Sequence, residues 1–338
     1  MKRNRLFALL ALAGCVLVAP AHAATVSTDT ESTSAAQALL PDTDSFLLQS
    51  GPQGPRYRVW LYHPAAAQTS ASSSRVSGEG ADTCALEGAP PLLVLLDGNA
   101  TFALAVSAAR LQARLIGPVT IAAIAADNDA LFDEPQRFRD FTTPNRDGWG
   151  VPRDAQGKPL ATGGVDAFET LVNETLPRAI EARTHETPRT RMLFGHSLGG
   201  YFVLHDALTN PHAWSRYMAA SPSLWWNAGE LLARVRDAAT TAHSAASRSG
   251  IPLAIRVGGD EARLAPESPP ARVERVKHAA MIDNARAFTE VLNDAPALGF
   301  NADMQIYTGQ NHVSYLPAAI SEAVTLAAKH ACAKPSQP

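Results

Sequence analysis

Residues 193–200 read "LFGHSLGG", and within them Gly195-His196-Ser197-Leu198-Gly199 sets a glycine-flanked serine between two different patterns. Before it, "RMLFG" is a short apolar run of strand type; after it, "LGGYFVLHDAL" has helical spacing. A serine on a sharp strand-to-helix turn has its hydroxyl exposed for attack. Such a turn leaves little room for neighbouring side chains, and Gly195, Gly199 and Gly200 supply none. The N–H of Leu198 would then leave the helix's first turn where the dipole favours an anion. The stretch predicts a nucleophilic Ser197 with Leu198 as an oxyanion donor.

Outward from this turn the chain alternates between strand and helix patterns. "RYRVWLYHP" (56–64) alternates as a half-buried strand does, while "PLLVLLDG" (91–98) and "VTIAAIAAD" (119–127) are continuous apolar runs expected of strands covered on both faces. "SRYMAASPS" (215–223), "PLAIRVGG" (252–259) and "ADMQIYTG" (302–309) follow. Helix-period segments over 166–183, with Pro177 as a kink, and over 271–294 lie between strands. This order predicts an α/β fold built on a mostly parallel, doubly wound sheet with helices on both faces.

A serine hydroxyl needs a base, normally a histidine held by a carboxylate. In a strand–serine–helix architecture both follow the serine, in loops after later strands. Of the ten histidines, His312 in "YTGQNHVSY" sits just past the last predicted strand, whereas His205, His243, His278 and His330 fall in or beside helical segments. Asp260-Glu261 follows "PLAIRVGG", and the residues alone leave both open as the acid. In "LLVLLDGNATF" (92–102) the loop after the strand offers the N–H of Gly98 or Asn99 as the second oxyanion donor. Asp97 precedes the serine in the chain and reads as a structural loop residue. No His/Cys/carboxylate cluster has metal-ligand spacing and no Gly-rich phosphate loop follows a strand, so neither metal nor cofactor is expected.

The 338 residues carry a formal net charge of −3 without a run of Lys or Arg, so nucleic acid is not an expected partner. Residues 1–23 combine a basic "MKRNR", an apolar "LFALLALAGCVLVAP" and a small-x-small "AHA". That is an export signal, too short to span a membrane comfortably, and it predicts a periplasmic or secreted protein. "LAGC" (12–15) resembles a lipobox, so a lipid anchor on Cys15 is the alternative. A flexible leader is expected over 24–50, a single domain over 51–333, and a polar surface-loop insertion at about 65–90. Cys84 and Cys332 suggest one disulfide in an oxidising compartment.

From about residue 55 to 325 the chain resembles the putative-esterase family of the α/β-hydrolase superfamily, and within it the periplasmic siderophore esterases that open the trilactones of enterobactin and salmochelin. The stretches carrying the resemblance are "LLVLLDGNATF" (92–102), "RFRDFTTPN" (137–145), "GGVDAF" (163–168), "LFGHSLGGYFVL" (193–204) and "SPSLWW" (221–226). It implies an α/β-hydrolase fold and hydrolysis of a small-molecule carboxylic ester through an acyl-enzyme. Ser197 matches the nucleophile and His312 the base; "VGGDE" (257–261) matches a Gly-x-x-Glu pattern that favours Glu261 over Asp260. Some members of the subgroup work with a serine–histidine dyad. Arg139 is expected either to meet an anionic or catecholate oxygen of the substrate or to pair with Asp140. Of the two tryptophans, Trp225 is expected to stack on aromatic substrate rings and Trp226 to be core. An acyltransferase and a catalytically silent ligand-binding relative are the alternatives on the same fold.

Overall fold

The computed structural model describes residues 40–51, 53–64, 89–146, 150–242 and 250–331. The expected export signal, Cys15, Cys84, Cys332 and residues 65–88 of the expected insertion lie outside them.

Eight strands form one sheet: β1 (Thr43–Gln49), β2 (Arg56–Tyr62), β3 (Leu92–Leu96), β4 (Thr120–Ala126), β5 (Arg191–His196), β6 (Arg216–Ala220), β7 (Ile251–Gly258) and β8 (Phe300–Tyr307). Their order is β1-β2-β4-β3-β5-β6-β7-β8. β2 pairs antiparallel with β1 and β4, and every pairing from β4 through β8 is parallel. The mostly parallel sheet is as the sequence predicts, and continuous apolar runs are its reason. In β3, Leu92, Val94 and Leu96 point into one core while Leu93 and Leu95 point into the other. A strand buried on both faces has no polar side to show.

The helices sort onto those two faces. α1 (Gly98–Ile116) and the last helix, Leu316–Ala331, share the smaller core, with Phe102, Val106, Ile320 and Val324 buried. The larger core gathers α2 (Glu134–Phe141), α3 (Val165–Thr170), α4 (Leu176–Thr184), α5 (Leu198–Thr209) and α6 (Trp226–Thr241). α7 (Pro270–Ala279) buries no residue, and α8 (Met281–Asp294) packs Ala285, Phe288 and Leu292 on the larger core. The final helix is α9. Among the described residues, no helix is long and apolar enough to cross a membrane.

Three local expectations are corrected. The leader read over 24–50 gives way to β1 at Thr43, a strand with one buried side chain, Phe46, held by its ladder to β2. The helix read over 166–183 is three pieces, since a π turn at Leu171–Thr175 precedes Pro177 in the first turn of α4. Proline has no N–H to give and its ring crowds the turn before it, which a wider turn relieves. The helix read over 271–294 is two, broken at Ala280, whose φ of 40° is left-handed.

Candidate active site

Each residue singled out near Ser197 lies beyond the carboxyl end of a parallel strand. Ser197 itself follows β5 with φ 60° and ψ −117°, and α5 begins at the next residue. That backbone is costly for a residue with a Cβ, so surrounding contacts must impose it. Ser197 N–H donates to Ala220 O at 2.8 Å, and its carbonyl accepts from Ser223 N at 3.0 Å. Gly195 makes the turn sterically feasible: a Cβ there would lie 2.2 Å from Gly199 O. Ser197 is partly exposed, and its Oγ lies 3.3 Å from Ser223 Oγ.

His312 lies on the β8–α9 loop and Glu261 just after β7. His312 Nδ1 and Glu261 Oε2 are 2.8 Å apart. The Glu261 side chain is 2% exposed, and its other oxygen accepts from Gly258 N at 2.6 Å and from the Ser221 hydroxyl. Asp260 is turned away, accepting from Arg263 at 3.2 Å. Of the two carboxylates left open by the residues alone, Glu261 is therefore the one that meets His312.

His196, next to Ser197, fastens this loop in place. Its Nε2 donates to His312 O at 2.7 Å, while Nδ1 is buried without a partner. A proton on Nε2 and none on Nδ1 is the neutral tautomer. Burial first, and then the nearby His312, push the His196 imidazole down to about 3. The two rings lie 4.6 Å apart, and a neutral His196 places no charge beside the His312 ring.

The oxyanion candidates sit at two helix starts. Leu198 opens α5, and Gly98 and Asn99 open α1 directly rather than standing in a loop as expected. The first N–H groups of a helix have no intrahelical acceptor, so they are donors in waiting. Gly98 has no room for a side chain, since a Cβ would come within 2.8 Å of Ala123 O. The Asn99 side chain is structural: Oδ1 accepts from Trp60 Nε1 at 3.0 Å and Nδ2 donates to Asn128 O and Ala130 O.

Arg137, which the sequence left unmarked, ties these two helix starts together. Its Nε donates to Asp97 Oδ1 and its Nη2 to His196 O, both at 2.9 Å. Asp97, with φ 54°, is the residue from which α1 is launched, so its structural reading agrees with its place here.

Arg139 and Trp225 are placed differently. Arg139 grips Asp140 with two bonds, 2.6 and 2.9 Å, and Tyr57 holds the same carboxylate at 2.9 Å. It borders a cleft of about 830 Å³ with Arg56, Asp127 and Lys158, and neither Ser197 nor His312 lines that cleft. Pairing with Asp140 is thus the alternative that the geometry realises. Trp225 is partly exposed, two residues beyond Ser223, while Trp226 is fully buried. Trp226 Nε1 donates to Thr143 Oγ1 at 3.0 Å, and Asn227 Nδ2 donates to Thr143 Oγ1 and Pro144 O. The "RDFTTP" and "SPSLWW" stretches, distant in the chain, therefore meet through Thr143.

A family model described as "Putative esterase" matches residues 85–315. The chain is also 31% identical over 245 residues to the ferri-bacillibactin esterase BesA of Bacillus subtilis, covering 70% of this chain and 78% of the relative. The chain belongs to the putative-esterase family. As a member it is an enzyme of ester hydrolysis on the α/β-hydrolase fold. A siderophore enterobactin esterase of Emericella nidulans is 37% identical to this esterase over 188 residues, 49% of this chain and 61% of that one. Among solved structures, the siderophore hydrolase EstA from Aspergillus nidulans shares the fold, with a TM-score of 0.68 at 24% identity over 86% of this chain and 95% of that one.

Proposed function

We propose that this chain is an exported serine esterase in which Ser197, His312 and Glu261 act as a triad on siderophore esters. The observation that carries the reading is the 2.8 Å contact of His312 Nδ1 with the buried Glu261 carboxylate, on a loop bonded to His196, the residue before a serine in a strained strand-to-helix turn. With Nδ1–H given to Glu261, His312 presents Nε2 as the base. Ser197 Oγ attacks the ester carbonyl carbon as its proton passes to Nε2. The N–H groups of Leu198 and of Gly98 or Asn99 receive the tetrahedral oxyanion. Collapse expels the alcohol, which takes the proton back from Nε2. A water then enters, gives a proton to the same nitrogen and attacks the acyl carbon, and collapse releases the acid product as Nε2 returns that proton to Ser197 Oγ. Every step uses this chain's own groups.

The relatives named as esterases of bacillibactin and enterobactin support a siderophore as the substrate. Trp225, partly exposed near Ser223, is suited to stack on an aromatic ring of such an ester. Arg139 contributes by holding Asp140, with a direct substrate contact tested by Arg139→Ala: unchanged affinity for a catecholate ester removes that contact. Export through residues 1–23 brings the enzyme to the compartment where such esters are met. The test is hydrolysis of apo- and ferric enterobactin and of a short nitrophenyl ester by the parent and by Ser197→Ala, read by mass spectrometry. Ring opening by the parent alone supports the serine mechanism and the siderophore substrate. Cleavage of the nitrophenyl ester alone keeps the mechanism and discards the siderophore.

A further inference from the structure

We propose that Ser221 and Tyr315 are positioning residues: a hydroxyl relay running Tyr315 to Ser221 to Glu261 fixes the carboxylate that aims His312. This rests on the triad reading above and deepens it.

Ser221 is the first residue beyond β6, and its φ of 42° is left-handed, which a non-glycine residue adopts only under constraint. The constraint is visible. Its N–H donates to Arg256 O at 2.6 Å, and its hydroxyl, fully buried, contacts both Glu261 Oε1 and, at 2.7 Å, the Tyr315 hydroxyl. Tyr315, three residues past His312 and 1% exposed, also lies 3.2 Å from Arg256 O.

Counting protons gives the relay its direction. An ionised Glu261 only accepts, so the single Ser221 proton belongs on Oε1. The 2.7 Å contact between the two hydroxyls needs a proton between them, and with the Ser221 proton given to Oε1 only Tyr315 can supply it; Arg256 O, at 3.2 Å, is the more distant acceptor of that hydroxyl. Burial holds the Tyr315 hydroxyl well above its ordinary range, which keeps it a donor. Oε1 thus receives Ser221 and Gly258 N–H, and Oε2 is left facing His312. A carboxylate saturated on one oxygen cannot swing the other away. The relay spans the loops after β6, β7 and β8, three segments that share no local sequence.

Other charged or titratable groups around it are committed elsewhere. Arg256 pairs with Glu322 and Asp303, and Tyr307 donates to Glu322. Asp260 holds Arg263, and His196 is neutral and bonded to His312 O.

The test measures kcat and KM of the full mature chain on a nitrophenyl ester from pH 5 to 9, for Ser221→Ala, Tyr315→Phe, Glu261→Ala, the Ser221→Ala/Glu261→Ala double variant and Ser197→Ala. One charge-assisted bond lost to Ser221→Ala lowers kcat about ten- to a hundred-fold, and the neutral bond lost to the near-isosteric Tyr315→Phe about five-fold. KM stays nearly constant. With fewer donors the carboxylate presents more charge to the imidazole, so the acid limb of kcat/KM moves to higher pH. In the Glu261→Ala background, Ser221→Ala costs nothing more, because it acts through the missing carboxylate. With Glu261→Ala impaired, additive losses, an unmoved limb or a Ser221→Ala enzyme with parental kcat would each overturn the relay. A fully active Glu261→Ala, or a Ser197→Ala enzyme that still hydrolyses the ester, instead overturns the triad reading itself, so the two failures are read from different variants.

Discussion

Arg137→Met removes the guanidinium that joins Asp97 to the His196 carbonyl while keeping an apolar stem between Phe132 and Phe141, the rings it lies over. The side chains of Arg137 and Asp97 are 10% and 5% exposed, so water screens their 2.9 Å pairing little. Breaking one partner of such a buried pair costs about 3–5 kcal/mol, because the survivor is a charge with no counterion. Asp97 is ill placed to absorb the loss, since its Oδ2 is buried and already without a partner. Burial holds its carboxyl above the ordinary value even with Arg137 pulling it down, and without Arg137 it rises further. An acid raised in the folded state keeps a proton that the unfolded chain has released. The variant's stability therefore falls as pH rises from about 4 toward the folded value. The assay is urea unfolding of both proteins at several pH values, with the slope of the transition checked to be equal. Arg137→Met/Asp97→Asn, which removes charge as well as counterion, recovers most of the loss and flattens the pH dependence. A loss under about 1 kcal/mol for the single variant would refute the reasoning, as would a double variant no more stable than the single.

Three further outcomes follow from other contacts. Burial pushes the Asp206 carboxyl up to about 7, so this raised acid destabilises the fold as pH climbs from about 4 to 7; Asp206→Asn keeps an acceptor for Asn173 and Asn210, unfolds later than the parent at pH 8 and equally near pH 4, as thermal scans at both values will show. Trp226→Ala empties a fully buried site and costs about 3–5 kcal/mol, whereas the partly exposed Trp225→Ala raises KM for aromatic esters with a smaller stability loss, separable by denaturation and steady-state kinetics. Gly195→Ala drives a methyl into Gly199 O, so the turn must open and kcat collapses while circular dichroism still reports the α/β fold.

The parts of this molecule written in local pattern were legible from sequence. β3 and β4 announce themselves because burial on both faces demands unbroken apolar runs, and the elbow because close backbone approach demands glycine. His312 was reachable by elimination, since the fold admits few places for a base after the last strand. Glu261 was not separable from Asp260 by their residue types, which are equivalent as acids; the resemblance favoured it, and the geometry shows which one faces the imidazole. β1 was hidden because "TDSFLLQ" buries one side chain and owes its existence to the β2 ladder. The helix break at Ala280 was hidden because an alanine, not a glycine, takes the left-handed turn. Ser221 and Tyr315 meet across 94 positions, and Arg137 and His196 across 59; no periodicity records such pairs.

Ser197 as the nucleophile is tested by a fluorophosphonate probe followed by peptide mapping. Ser223 Oγ lies 3.3 Å from Ser197 Oγ, so the site of attachment must be mapped and not only counted. One adduct is expected, on Ser197, lost in Ser197→Ala and greatly slowed in His312→Ala. An active enzyme that carries no adduct, or carries it on Ser223, would contradict it.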